Sequence, residues 1–105
     1  MIYLMNTSIL TSFGKFDYSP IDLSEVVELM VNNDYQSAIG HESTAEVMTT
    51  LTGINVVMNR ITVDMQVGDS AIVFKLNARP AEGAILNREE LERIGFSWGI
   101  LKRLD

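Results

Sequence analysis

The single histidine of this 105-residue chain lies in Gln36-Ser37-Ala38-Ile39-Gly40-His41-Glu42-Ser43-Thr44-Ala45-Glu46, directly after a glycine and directly before the signature of a helix start. Imidazole exchanges a proton near neutral pH, and the first N–H groups of a helix have no intrahelical acceptor and attract anions. A small apolar segment, a proton donor and a helix N-terminus in one stretch make a candidate anion site that carries its own acid. Ser43-Thr44-Ala45-Glu46 has the capping-box pattern, in which the Ser43 hydroxyl accepts from the Glu46 N–H and Glu46 reaches back to the Ser43 N–H. The same residues also read as plain architecture, with Ser43 a cap, Gly40 a turn and His41 a surface side chain.

Composition narrows the chemistry that such a site can perform. A chain of 105 residues, 47% hydrophobic and with two prolines, predicts one domain over residues 1–105 with one principal site. The sequence holds no cysteine, which excludes disulfides, thiolate catalysis and cysteine-ligated metal, and one histidine makes no zinc cluster. No metal or other cofactor is therefore expected. A basic n-region followed by an apolar core is absent, and no apolar run approaches a membrane span, so the expected setting is the cytoplasm. The net charge of −6 argues against duplex nucleic acid as a partner, yet a few converging arginines can hold a small polyanion because screening confines distant charges to about 8 Å.

The elements that must position these groups follow from pattern. Ile2-Tyr3-Leu4-Met5 is apolar on both faces and predicts a central strand, ending at the polar cluster Asn6-Thr7-Ser8 where ligands of open α/β sheets collect. A turn built on the same side chains is the alternative use of that cluster. Ile9 to Phe13 reads as a short apolar turn or helix, and Lys15 to Ile21 as an extended edge segment. Asp22-Leu23-Ser24-Glu25 is a second capping box, opening a helix with Leu23, Val26, Val27, Met30 and Val31 on one face. Asn32-Asn33-Asp34 stops it, and Tyr35 to Ile39 makes a second strand. If that helix is a right-handed crossover, the two strands are parallel and Asn6 and His41 emerge at the same sheet edge. The helix after Ser43 runs to about Leu51 and ends at Gly53.

Ile61, Val63, Met65 and Val67 alternate with polar residues, Gly68-Asp69 marks a turn, and Ala71 to Leu76 returns apolar on both sides, which predicts a hairpin with an interior second strand. In that hairpin Arg60 would neighbour Lys75 and Arg79, three cations at one sheet end of an acidic chain. Asn87-Arg88-Glu89-Glu90 opens a short helix to about Ile94, Phe96 to Leu101 reads as a last strand or packing arm, and Phe96 to Ile100 within it fits an edge strand, a dimer contact or a mobile lid. The elements together predict a single α/β (α+β) domain with a central mixed β-sheet flanked by helices.

The ordered set of Asn6, Gly40-His41-Glu42-Ser43, Asn59-Arg60 and Arg79-x-x-Glu82-Gly83 resembles the viral ring nucleases, type III anti-CRISPR proteins that cleave cyclic tetra-adenylate, and their bacterial and prophage relatives. The likeness runs from about Tyr3 to Glu90. It implies that His41 is the catalytic general acid, Glu82 its acidic partner in the site, Arg60 and Arg79 phosphate or base contacts, and Ser43 and Asn6 ligand-binding residues. Ser8 and Lys75 fit less well: Ser8 is one residue closer to Asn6 than the family's site serine, and Lys75 stands where viral members have glutamine.

The implied chemistry needs no metal. The ribose 2′-hydroxyl is already placed to attack the adjacent phosphorus, so the protein must align it with the departing 5′-oxygen and protonate the latter. A helix N-terminus disfavours the imidazolium, whereas Glu82 and a bound phosphate favour it. The products would be linear adenylates ending in 2′,3′-cyclic phosphate. A four-nucleotide ring presents the same face twice, which implies a C2 homodimer with one ring across its interface. A non-catalytic sensor or sponge for the same cyclic nucleotide would use the same arginines, and a small interaction domain without a ligand would use none of them.

Overall fold

A computed structural model describes residues 1–7, 10, 12–77 and 88–105. Strands β1 (Ile2–Met5), β2 (Phe16–Ile21), β3 (Tyr35–Ser37), β4 (Ser70–Leu76) and β5 (Phe96–Arg103) and helices α1 (Leu23–Asn32), α2 (Glu42–Thr52) and α3 (Arg88–Ile94) follow in the order β1-β2-α1-β3-α2-β4-α3-β5. The strands form one sheet in the order β2-β5-β4-β1-β3. β1 is parallel to both β3 and β4, whereas β5 runs antiparallel to β4 and β2. The expected mixed sheet with β1 inside it is thus the observed one, including the parallel relation of β1 and β3.

Strand alternation divides the apolar residues between two layers. Leu4, Ile72, Phe74 and Trp98 pack with Val26 and Met30 of α1, Met48 and Leu51 of α2 and Leu91 of α3. On the opposite face Met5, Ala71, Val73 and Leu101 pack with Val63 and Met65. All three helices therefore cover one face, and the other is covered by an extended strap from the segment after Arg60.

That strap corrects the expected hairpin. Residues 61–66 form no ladder, although Val63 and Met65 are buried and Gly68 lies in a turn, closed by an Asp69 N–H donating to the Gln66 carbonyl at 2.9 Å. Both edges of β4 are already occupied, by β1 and β5, so no edge is left for a hairpin partner. Alternation here marks a chain lying across a sheet face, with Ile61 and Val67 turned out to solvent.

Helix signals are read more directly. The Asp22 carboxylate accepts from the Glu25 N–H at 2.8 Å and from the Ser24 hydroxyl at 2.7 Å. Val26 and Met30 are buried as expected, but Val31 is exposed, because the helix meets the sheet along a narrower stripe than its composition suggests. α2 ends at Gly53, whose φ of 72° is open to glycine at little cost.

The last segment is neither edge nor lid. β5 is interior, and Trp98 packs against Phe74 with ring centroids 4.6 Å apart. Gly99 is required by close approach, since a Cβ there would lie 2.5 Å from the Tyr18 ring. Phe74 also stacks near Phe96, at 5.9 Å, so Phe74→Ala should cost about 3–5 kcal/mol in denaturant unfolding. The Glu25 N–H, with the Ser24 hydroxyl second, holds the Asp22 carboxyl below its ordinary value of 3.8. A depressed carboxyl contributes stability above its unfolded pKa and loses it as pH falls through the folded one. Asp22→Ala should accordingly lower the melting temperature at neutral pH, and titration into acid should erase the difference from the parent.

Candidate active site

The parallel pair β1 and β3 releases two chain ends at one sheet edge. β3 continues alongside β1 through an Ala38 N–H donating to the Leu4 carbonyl at 2.8 Å. Just beyond, the Gly40 N–H donates to the Asn6 side-chain oxygen at 3.3 Å. Asn6 and the segment entering His41 are therefore joined, as the crossover argument requires.

A third segment closes the site. The Ser37 hydroxyl donates to the Val57 carbonyl at 2.6 Å and accepts from the Ile39 N–H at 3.3 Å. The Asn59 side-chain amide donates to the Ser37 carbonyl at 2.8 Å, and the Asn59 backbone N–H donates to that of Ile39 at 2.9 Å. These bonds lay residues 57–59 along the free side of β3 and deliver Arg60 to the turn, where its Nε and Nη2 both donate to the Gly40 carbonyl at 3.3 and 3.1 Å. Asn6, His41 and Arg60 thus line one cleft of about 380 Å³, with Met5, Ala38 and Val63 among its apolar walls.

His41 is itself the N-cap of α2, extended at φ −131° and ψ 131°, and its carbonyl accepts the first helical bond from Ala45 at 3.1 Å. The helix begins at Glu42, so Ser43 lies within the first turn and is not the cap. The cause is Gly40, whose N–H and carbonyl are both held, leaving His41 as the residue that turns the chain into the helix. His41 makes no side-chain cap bond and is an exposed residue lining the cleft. Among the described residues the helix's leading N–H groups stand beside an imidazole and a guanidinium, an arrangement suited to a phosphate.

Other expected site residues are placed differently. Ser43 is exposed and outside the cleft lining. Lys75 is exposed near the carboxyl end of β4, on the same sheet face as Ala71 and Val73, but it does not line the cleft. It is not a neighbour of Arg60 in the expected sense, because β1 lies between β4 and the β3 edge that holds Arg60. Ser8, Arg79 and Glu82 lie outside the described residues. Among the described residues no group of three or more His, Asp or Glu side chains is placed to hold a metal, and no helix is long and apolar enough to cross a membrane.

Residues 2–98 match the STIV B116-like family. The chain belongs to that family. Uncharacterized protein ORF117 of Acidianus two-tailed virus is 36% identical over 110 residues, spanning 99% of this chain and 94% of its own. Uncharacterized protein YddF of Bacillus subtilis (strain 168) is 35% identical over 106 residues, spanning 99% of this chain and 98% of its own. The solved structure of B116 of Sulfolobus turreted icosahedral virus superposes with a TM-score of 0.85 at 25% identity, covering 97% of this chain and 98% of that one.

In this B116-like chain Ser37 is the residue that sequence reasoning missed. The available signal was a hydroxyl inside the otherwise apolar end of a strand, and its 8% exposure makes it one of the few buried polar residues among those described. Ser37→Ala strands the Val57 carbonyl and the Ile39 N–H, so it should cost about 1–3 kcal/mol in denaturant unfolding. Amide exchange at Asn59 should accelerate more than at Ile72 in the sheet centre.

Proposed function

We propose that this protein is a metal-independent ring nuclease, which opens cyclic tetra-adenylate and so switches off type III CRISPR signalling. The observation that carries this reading is the convergence of Asn6, His41 and Arg60 on one cleft at the carboxyl edge of parallel strands. Those residues match, in order, the ligand contact, general acid and phosphate contact of the family that the sequence resembles.

The chemistry is a transesterification. The ribose 2′-oxygen bonds to phosphorus, the bond from phosphorus to the 5′-oxygen breaks, the 2′-hydroxyl proton passes to solvent, and the departing 5′-oxygen takes a proton from the His41 imidazolium. Arg60 sits one residue's carbonyl away from His41, where its charge neutralises the phosphate as negative charge builds on the oxygens. In this reading Arg79 supplies a further phosphate or base contact, Glu82 pairs with the acid, and Ser43 and Lys75 approach more distant parts of the ring. Two copies related by a two-fold axis would place two His41 side chains at opposite linkages, giving linear di-adenylate with a 2′,3′-cyclic phosphate.

The test is incubation with cyclic tetra-adenylate in EDTA, with products resolved by mass. The parent should convert the ring, and His41→Ala should lose about 10²- to 10⁴-fold in turnover while binding the ring with affinity within a few-fold of the parent. A ring recovered intact from a tight complex with the parent would overturn the enzyme reading in favour of a sponge or sensor, and absence of binding would overturn both.

A further inference from the structure

We infer that the groove between α2 and residues 55–58 is an adenine subsite, which takes the base of the nucleotide whose phosphate lies in the His41 cleft. The groove has a volume of about 660 Å³, and its walls include Glu42, Glu46 and Thr49 of α2 and Asn55, Val57 and Met58 of the segment that returns from it. It adjoins the cleft along one ridge. Glu42 follows His41 directly, Met58 is separated from Arg60 by Asn59 alone, and the bonds from Arg60 to the Gly40 carbonyl tie the two segments together. A ribose lying over that ridge would join a phosphate on one side to a base on the other.

The two hollows differ in charge as a phosphate and a base differ. The cleft presents the Arg60 guanidinium, whereas among the described residues no cation lines the groove, whose charged groups are the carboxylates of Glu42 and Glu46. Such a surface repels a phosphate and accepts hydrogen bonds from an amine. Val57 and Met58, 55% and 48% exposed, add apolar surface for a flat ring, to which the flexible thioether can adapt.

Asn55 supplies the specific contact. Among the described residues its side-chain amide has no hydrogen-bond partner, whereas the hydroxyls nearby are committed: Thr49 accepts from the Val56 N–H at 2.9 Å and Thr52 from the Ile54 N–H at 3.2 Å. Those two bonds hold the backbone on either side of Asn55. An asparagine amide pairs with adenine by accepting from the N6 amine and donating to N7. A 6-oxopurine offers two acceptors at the same edge and loses the half of the pair made by the amide oxygen.

The identity of the nucleotide rests on the nuclease reading, but the preference of the groove can be measured without catalysis. The experiment titrates the parent and Asn55→Leu with adenosine 5′-monophosphate, inosine 5′-monophosphate and ribose 5-phosphate and follows backbone amide chemical shifts. In the parent all three should move the Gly40 and Arg60 amides, and only the adenine nucleotide, bound about tenfold more tightly than the other two, should move those of Asn55 and Met58. Asn55→Leu should bring the adenine nucleotide to within about two-fold of inosine monophosphate, leave ribose 5-phosphate binding as it is in the parent, and raise KM for cyclic tetra-adenylate about tenfold. An absence of shifts at Asn55 and Met58, equal affinity of the parent for the two purine nucleotides, or a preference that survives Asn55→Leu each overturns the subsite. If the parent cleaves no ring, the nuclease reading fails by itself and the titrations alone decide this one.

Discussion

The peptide unit at Gly40 is gripped from both sides, its N–H by the Asn6 side chain and its carbonyl by the Arg60 guanidinium. The rest of the site depends on that constraint. It joins the end of β1, the end of β3 and the returning segment at one point, and it compels His41 to start α2. Buried Ser37 and half-buried Asn59 extend the grip along β3, so that a three-residue strand at the sheet's edge is stabilised on its outer side by side chains and a pseudo-strand rather than by a further ladder. A backbone fixed in this way leaves the Arg60 guanidinium anchored beside the start of α2, with little side-chain freedom left to lose.

Local chemistry was the part most legible in the sequence. Asp22 as a cap, Gly53 as a stop, the two-faced apolar character of Ile2 to Met5 and the crossover joining it to Tyr35 all declare themselves through residue types whose preferences are short-ranged. From those followed the meeting of Asn6 with His41. The failures share a different origin. Ser43 has the right type and spacing for a cap, yet the helix start was decided by Gly40, which is held by residues far away in sequence. Residues 61 to 67 alternate like a strand, but alternation records only that one side is buried, and the competition for the edges of β4 was won by β1 and by β5. Arg60 reached the site for a reason other than the hairpin, through Asn59 and Ser37, and no periodicity announces such a pin.

Membership of the STIV B116-like family and the superposition on B116 extend this architecture to viral proteins and to a Bacillus subtilis relative. Shared architecture carries a shared edge, the carboxyl ends of β1 and β3, where the chain presents its single histidine. Function is argued from that edge and its side chains rather than from the fold.

The strap over the second sheet face separates two kinds of sequence constraint. Its buried side, Val63 and Met65, is tied to packing. Its outward side, including Thr62 at the cleft and the exposed Asp64 and Gln66, belongs to no ladder and opposes no cross-strand partner. Substitutions there leave strand register untouched, and register is what a change inside a paired strand most endangers. The groups bordering the cleft on this side can therefore diversify while the five-stranded sheet stays the same, which gives one scaffold room to alter what it accepts without refolding.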